Sequence, residues 1–280
     1  MRVDVEHPEG GNLPKRVSYS QMSLYQQCGL KFFFSYIHNW QEPPTSALVG
    51  GNITHLVAEE LYKLAPSERT LTNAMEILRV EGPKFLARPE NVVFATDFSM
   101  KQNVREAVEN LFEIESPHEL VVLPEHLEMK LRVEINGVEF TGTVDRFTQD
   151  GVNRVSDYKT GRSPGRFLDG KLTQPYLYAL AFKTQLEIDV DEVELIFLNS
   201  KESFRRPAKV ELLENAGTQL AKMHESSKKD LSDAAWDAKV SKLCDYCAFQ
   251  NVCPAKTVDA PKPGSSSSDA ILAGAGLLRK

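Results

Sequence analysis

No stretch of the 280-residue chain approaches the ~18 consecutive apolar residues that a membrane-spanning helix requires. A membrane partner is therefore not expected. Residues 1–16 mix charge, Gly and Pro and lack the apolar segment of a secretory signal, so a reducing cytoplasm is the expected compartment. Cysteine is scarce, with four residues in the whole chain. That is too few for a disulfide scaffold, and in a reducing compartment it points to metal binding or reactivity. Positive charge is not in excess: 33 Lys and Arg stand against 39 Asp and Glu, a net charge of −6. This argues against generic nucleic-acid binding but leaves room for a local basic groove, because steering follows charge distribution as well as its sum. No G-x₄-G-K-[ST] loop is present, so no nucleotide-driven motor of that type is expected. What remains is ordinary globular composition, 41% hydrophobic and 26% charged, with enough apolar mass for a real core.

Period and capping signals divide the chain. Ser18 or Ser20 can cap a helix running to about Leu30, and helices are predicted at 46–64, 71–87 and 100–115. The period then changes. Leu127, Met129, Leu131, Val133 and Ile135 alternate strictly, which predicts a strand at 127–135 with one buried face. Asn136-Gly137 is a strong hairpin signal, and strands at 138–148 and 152–159 follow on either side of Asp150-Gly151. A helix at 172–185, a strand at 192–199, a helix at 211–228 and a Cys-rich segment at 243–255 complete the order. Residues 1–17 are expected to be flexible. The Pro- and Ser-rich stretch 257–280 is expected to be a disordered tail, leaving a single domain at 18–256 with a helical insertion at about 46–115.

Asp157-Tyr158-Lys159 lies in the third strand. Alternation sends Asp157 and Lys159 to one face and Tyr158 to the other. Whether Asp145 joins them depends on the loop. A two-residue loop pairs Asp145 with Ser156, whereas a three-residue loop over Asp150–Val152 pairs Asp145 with Asp157. The second register is expected, because two carboxylates and an ammonium on one face make a site for Mg²⁺ or Mn²⁺ and phosphodiester hydrolysis. A lone Asp-x-Lys is more often a surface ion pair. His55 precedes Glu59 by four residues on one helix face, and Gln174 and Tyr178 share the same spacing on the helix after the third strand. Arg154, Lys159, Arg162, Arg166 and Lys171 form a local basic stretch suited to a phosphate backbone.

Cys244-x₂-Cys247-x₅-Cys253 is compact, and Cys28 stands alone far upstream. One remote thiolate plus three clustered ones suits a four-cysteine iron–sulfur cluster better than a paired-ligand zinc site, with zinc the live alternative.

The order His55, Gly142-Thr143-Val144-Asp145, Asp157-Tyr158-Lys159-Thr160-Gly161 and Gln174-x₃-Tyr178 resembles the RecB-like branch of the PD-(D/E)XK nucleases. With the cysteines, it resembles the iron–sulfur members of that branch, the AddB nuclease domain and the CRISPR-associated RecB-like exonucleases. The resemblance covers about residues 18–255. Val144 stands where the family's nominal motif has Pro, a departure common in RecB-like members. The resemblance implies an α/β, restriction-endonuclease-like αβββαβ core with an N-terminal helical region and a C-terminal Cys-rich segment. It implies that Asp145, Asp157 and Lys159 are catalytic, and that His55, Asp145, Asp157 and the Tyr158 carbonyl hold Mg²⁺ or Mn²⁺. Gln174 and Tyr178 would contact DNA, with Arg162 and Arg166 alongside. Cys28, Cys244, Cys247 and Cys253 would ligate a 4Fe–4S cluster that staples the two ends of the domain. Glu128 matches an acidic position with no role given. The implied activity is exonuclease cleavage of DNA with free ends in recombination, repair or phage DNA processing, with a helicase or recombination partner. The alternatives are a CRISPR adaptation nuclease of identical chemistry, a non-catalytic DNA-binding subunit, and a zinc-stapled binding protein.

Overall fold

The computed structural model of the chain describes residues 1–165 and 168–279. Two compact units share them. The smaller comprises residues 1–43, 134–141 and 217–280, and the larger comprises residues 44–133 and 142–216.

In the smaller unit the first residues are ordered. Strand β1 (Arg2–Asp4) pairs antiparallel with a later strand, and Val3 and Val5 are buried. Helix α1 (Tyr19–Gln27) starts at Ser18, whose hydroxyl accepts from Gln21 N while Gln21 returns the bond, a capping box. It stops three residues earlier than expected because Cys28 is extended (φ −164°). Helix α2 (Gly29–Phe32) follows, then a wide turn at Phe33–Ile37 and strand β2 (Trp40–Gln41).

The larger unit begins with α3 (Ser46–Lys63), α4 (Leu71–Leu86) and α5 (Phe98–Ile114), capped by Thr45, Thr70 and Asp97. Their apolar faces bury Ile53, Val57, Leu61, Val104 and Leu111 together with Tyr158 and Ile196 of the sheet. Strands β3 (Leu127–Ile135), β4 (Val138–Gln149) and β5 (Asn153–Lys159) form the expected meander. Asn136 and Gly137 turn the first hairpin with φ of 49° and 77°, the left-handed pair such a turn demands. Helix α6 (Thr173–Leu186) crosses over to β6 (Glu192–Phe197), which pairs parallel to β5. Strand β7 (Glu202–Pro207), absent from the sequence expectation, pairs antiparallel with β6. The sheet order is β3-β4-β5-β6-β7. This mixed α/β arrangement is consistent with the restriction-endonuclease-like core.

Helix α7 (Val210–Ser232) then leads to β8 (Ala235–Asp237), the partner of β1. The stretch from Thr257, expected to be disordered, instead forms helix α8 (Ser266–Gly274) and strand β9 (Leu278–Arg279), which pairs with β2. Leu272 and Leu277 join the core of Phe33, Phe34, Trp236 and Phe249. Among the described residues, no helix is long and apolar enough to cross a membrane.

Candidate active site

Strand β5 lies between β4 and β6 and is buried along its length except at its ends. The β4–β5 ladder pairs Arg146 with Ser156 and Gln149 with Asn153. The loop is therefore the three residues Asp150–Val152, turned by Gly151 at φ +89°. Continued by one residue, that register sets Asp145 opposite Asp157. The two carboxylates share a face, and Tyr158 N–H donates to Asp145 Oδ2 at 2.7 Å, fixing the Asp145 rotamer.

Two other elements reach the same place. His55 of α3 brings Nδ1 to 3.4 Å from Asp145 Oδ1. Glu128, near the start of β3, has φ +47°. A non-glycine residue in that region stores backbone strain, and such outliers collect at functional sites. Among the described residues, His55, Glu128 and Asp145 form the group whose ligand atoms all lie within 4.8 Å of one another, close enough for one cation. Asp157, expected as a ligand, stands outside this trio. It is 2% exposed, and its Oδ2 touches Lys159 Nζ at 2.6 Å. Glu128 is the member of this trio that the sequence leaves without a role. Alternation marks it as facing away from the core side of β3, and nothing in the sequence signals the left-handed turn at that residue.

Electrostatics follow from crowding. Burial pushes the Asp157 carboxyl up to about 6, against the pull of Lys159 and with the added push of Asp145. Burial, then Asp145, lifts Glu128 to about 7. Burial opposes the charged form of His55, but Asp145, Asp157 and Glu128 together outweigh it and raise the imidazole to about 9. An acidic cluster that favours protons on its carboxyls and its imidazole is one that a divalent cation can relieve.

Lys159 Nζ donates to Gln174 Oε1 at 2.8 Å, and Gln174 Nε2 donates to the Tyr178 hydroxyl at 2.8 Å. The two residues expected to contact DNA therefore form a relay behind the lysine. Tyr178 is 4% exposed and supports Gln174 from within. A groove of about 510 Å³ opens over His55, Glu128, Asp145, Asp157, Lys159 and Gln174.

The Tyr158 side chain points the other way. Its hydroxyl meets Arg146, which also binds Glu115 at 2.7 Å and Tyr62 at 2.7 Å. A role for Tyr158 at the metal thus falls to its backbone. Arg162 is exposed, and Arg166 lies outside the described residues. Arg154 is engaged by Glu192 at 3.0 Å, which removes it from the expected basic stretch.

The four cysteines form no disulfide among the described residues and are half-buried, and all four line one small cavity of about 30 Å³ beside Phe34 and Phe249. Cys28 reaches it from the extended break between α1 and α2. Cys244 and Cys247 sit on a short helical turn. Burial pushes the Cys247 and Cys253 thiols up. Lys31, Lys239 and Lys256 border the same cavity, a setting that favours thiolates once a cation is present.

A fold of this kind has been solved before. A Eubacterium rectale protein crystallised as a candidate exonuclease aligns over 91% of this chain and 92% of its own, with a TM-score of 0.54 and 11% identity. That likeness is one of fold. The structure SSO0001 aligns over 86% of this chain and 97% of its own at 13% identity, with a TM-score of 0.31. No curated protein matches the sequence. The family model described as the PD-(D/E)XK nuclease superfamily matches residues 16–254, a span that includes every member of the carboxylate site and the four cysteines. With that match over most of its length, the chain belongs to the PD-(D/E)XK nuclease superfamily.

Proposed function

We propose that this chain is a Mg²⁺- or Mn²⁺-dependent DNA exonuclease of the RecB-like branch, acting on linear DNA in recombination, repair or phage DNA processing. The observation that carries the reading is the convergence of His55, Glu128 and Asp145 within one cation's reach, beside the Asp157–Lys159 pair. The donor set fits the ion. Hard carboxylate oxygens and one imidazole suit Mg²⁺ or Mn²⁺, with the buried Asp157 carboxylate paired to Lys159 alongside. A bound divalent cation supplies polarisation of the scissile phosphate and a hydroxide near neutral pH. Asp145 would orient the cation through a carboxylate already anchored by Tyr158 N–H, and the Tyr158 carbonyl would add a further oxygen. Lys159, held by Gln174, would place its ammonium against the charge that develops on the phosphorus oxygens. The likeness to a candidate exonuclease supports end-directed over internal cleavage.

The same proposal assigns a 4Fe–4S cluster to Cys28, Cys244, Cys247 and Cys253. Four thiols around one cavity fit such a group. One remote thiol and three clustered ones suit the four-cysteine ligation of such a cluster, with a zinc staple the alternative. The chemistry of the cluster here is structural, holding Cys28 to the 244–253 segment. Purified protein should be brown, and Cys247→Ser should bleach the colour and lower the melting temperature. Stoichiometric zinc in colourless protein would replace the cluster with a zinc staple.

The deciding assay sets end-labelled linear DNA beside a circular control with Mn²⁺ or Mg²⁺, with Asp157→Ala and Lys159→Ala run in parallel. Loss of linear DNA alone, abolished in both variants, is the expected result. Cleavage by either variant at the wild-type rate would overturn the site assignment. Absence of cleavage by metal-loaded wild type would overturn the enzyme reading in favour of a non-catalytic DNA-binding subunit.

A further inference from the structure

A second pocket, of about 420 Å³, adjoins the catalytic groove and shares Ala47, Gly51, Thr160 and Gly161 with it. Its polar lining comes from Ser46, Asp97, Ser99, Asn103, Thr160 and Asn199, and Met100 and Val104 supply an apolar wall. Among the described residues, no lysine or arginine lines it. The charged group among the described lining residues is Asp97, whose carboxyl is held below its usual range by hydrogen bonds from Met100 N and the Ser46 hydroxyl and so stays anionic. A phosphate would be repelled here. A neutral group with hydrogen-bonding edges and a flat apolar face would be accepted, and a nucleoside answers that description.

Two details favour this occupant. Asn103 is exposed on α5 with its amide directed to no protein partner among the described residues. An amide offers a donor and an acceptor together, the pair that reads the edge of a base. Gly51 stands at the junction of the two pockets. A Cβ there would lie 3.1 Å from Thr160 Oγ1, so the missing side chain keeps the passage open. Gly50, its neighbour, faces Met100 and Val104 instead and lets α3 and α5 approach.

We propose that this pocket receives the terminal nucleoside of a DNA strand whose adjoining phosphate lies in the catalytic groove. The inference rests on the nuclease reading and deepens it. A strand end seated in a pocket of one-nucleoside capacity gives a structural reason for cleavage from ends.

The test separates the pocket from the chemistry. Hydrolysis of bis(p-nitrophenyl) phosphate by wild-type protein with Mn²⁺ tests the catalytic groove by itself, because this small diester needs no nucleoside pocket. Binding of deoxyadenosine, followed by NMR without metal and with inorganic phosphate as the comparison, tests the pocket by itself. We expect deoxyadenosine to bind and phosphate not to compete. Asn103→Trp and Ser99→Trp fill the pocket from exposed positions on α5 and should weaken that binding tenfold or more while melting as wild type does. Absence of deoxyadenosine binding, or equal binding by a well-folded Asn103→Trp or Ser99→Trp protein, would overturn the pocket assignment even if the diester is cleaved. Binding that phosphate displaces would reassign the pocket to an anion and overturn it likewise.

Discussion

Gln174 accepts a 2.8 Å hydrogen bond from Lys159 Nζ, so the glutamine holds the lysine before any DNA arrives. Tyr178 in turn accepts from the Gln174 amide at 2.8 Å and is almost fully buried. The spacing of the two residues puts them on one helix face, and that face turns toward the catalytic strand. Their contribution to cleavage is therefore orientation of an ammonium, and orientation is expressed in the transition state more than in ground-state binding.

This makes a sharp expectation for Gln174→Leu. A hydrogen bond to a charged group is worth about 1.5–3 kcal/mol. The variant should lose roughly 10- to 100-fold in kcat with little change in KM for DNA. Tyr178→Phe should lose less, because Gln174 keeps its bond to Lys159. Steady-state kinetics decide the matter: a rise in KM at unchanged kcat for Gln174→Leu would mean the side chain grips DNA instead.

The acidic cluster makes a second prediction, in the metal-free protein. Asp157 and Glu128 have folded-state values raised to about 6 and about 7, first by burial. A raised carboxyl contributes stability that is present below its ordinary range near pH 4 and is lost as pH rises through the folded value. The metal-free protein should therefore weaken between pH 4 and pH 7 on account of these two groups. Asp157→Asn removes the charge that burial disfavours. It should melt about 2–4 °C above metal-free wild type at pH 8, a gap of about 1 kcal/mol for a chain of this size, and the gap should close toward pH 4. Mn²⁺ should raise the melting temperature of wild type and raise that of the variant by less, since His55, Glu128 and Asp145 remain to hold the ion. Calorimetry across the pH range, with and without Mn²⁺, checks both, and a variant less stable than metal-free wild type at pH 8 would contradict the first.

Much of this was legible in the residues. Strict alternation at Leu127–Ile135 and the left-handed Asn136-Gly137 turn located the meander. The three-residue loop that sets Asp145 against Asp157 was expected from chemistry, and the ladder has that loop. Strand β7 was missed because its residues, ESFRRP, are charged and nearly all exposed. It is an edge strand that pairs through its backbone and buries almost no side chain. Glu128 was seen and left without a role because a left-handed residue inside a strand has no signature when it is not glycine. The helix in the tail is not legible because Pro, Gly and Ser composition speaks to local preference, whereas burial of Leu272 and Leu277 is a long-range effect.

Behind the site, Arg146 is 1% exposed and contacts Glu115, Tyr62, Tyr158 and Ser156, with Glu194 at 3.7 Å. Its removal would leave the buried Glu115 carboxylate without its cation, while Glu194 keeps Arg205 at 2.8 Å. Arg146→Ala should cost about 3–5 kcal/mol in urea unfolding, the range for a broken buried ion pair. Arg146→Met with Glu115→Gln should recover part of that loss, since the volume is refilled and one charge is gone. If the double variant is no more stable than Arg146→Ala, packing around the guanidinium and not charge is the dominant contribution.

The C-terminal segment offers the most direct test of the smaller unit. Trp40 Nε1 donates to Asp269 at 3.1 Å, and Arg279 donates to both Asp269 and the His38 carbonyl. Leu272 is 1% exposed and Leu277 8%. Gly264 turns into α8 at φ +88°, where a Cβ would stand 2.0 Å from the Glu6 carbonyl oxygen, so only glycine fits. Burial of a leucine is worth about 1.5–3 kcal/mol, so the two together contribute roughly 3–5 kcal/mol. Truncation after Lys256 should remove that much in urea unfolding and expose Trp40, seen as a red shift in its fluorescence. Gly264→Ala should destabilise in the same direction with the segment still present. A truncated protein with unchanged stability and unchanged tryptophan emission would mean that the segment is the disordered tail its composition suggests.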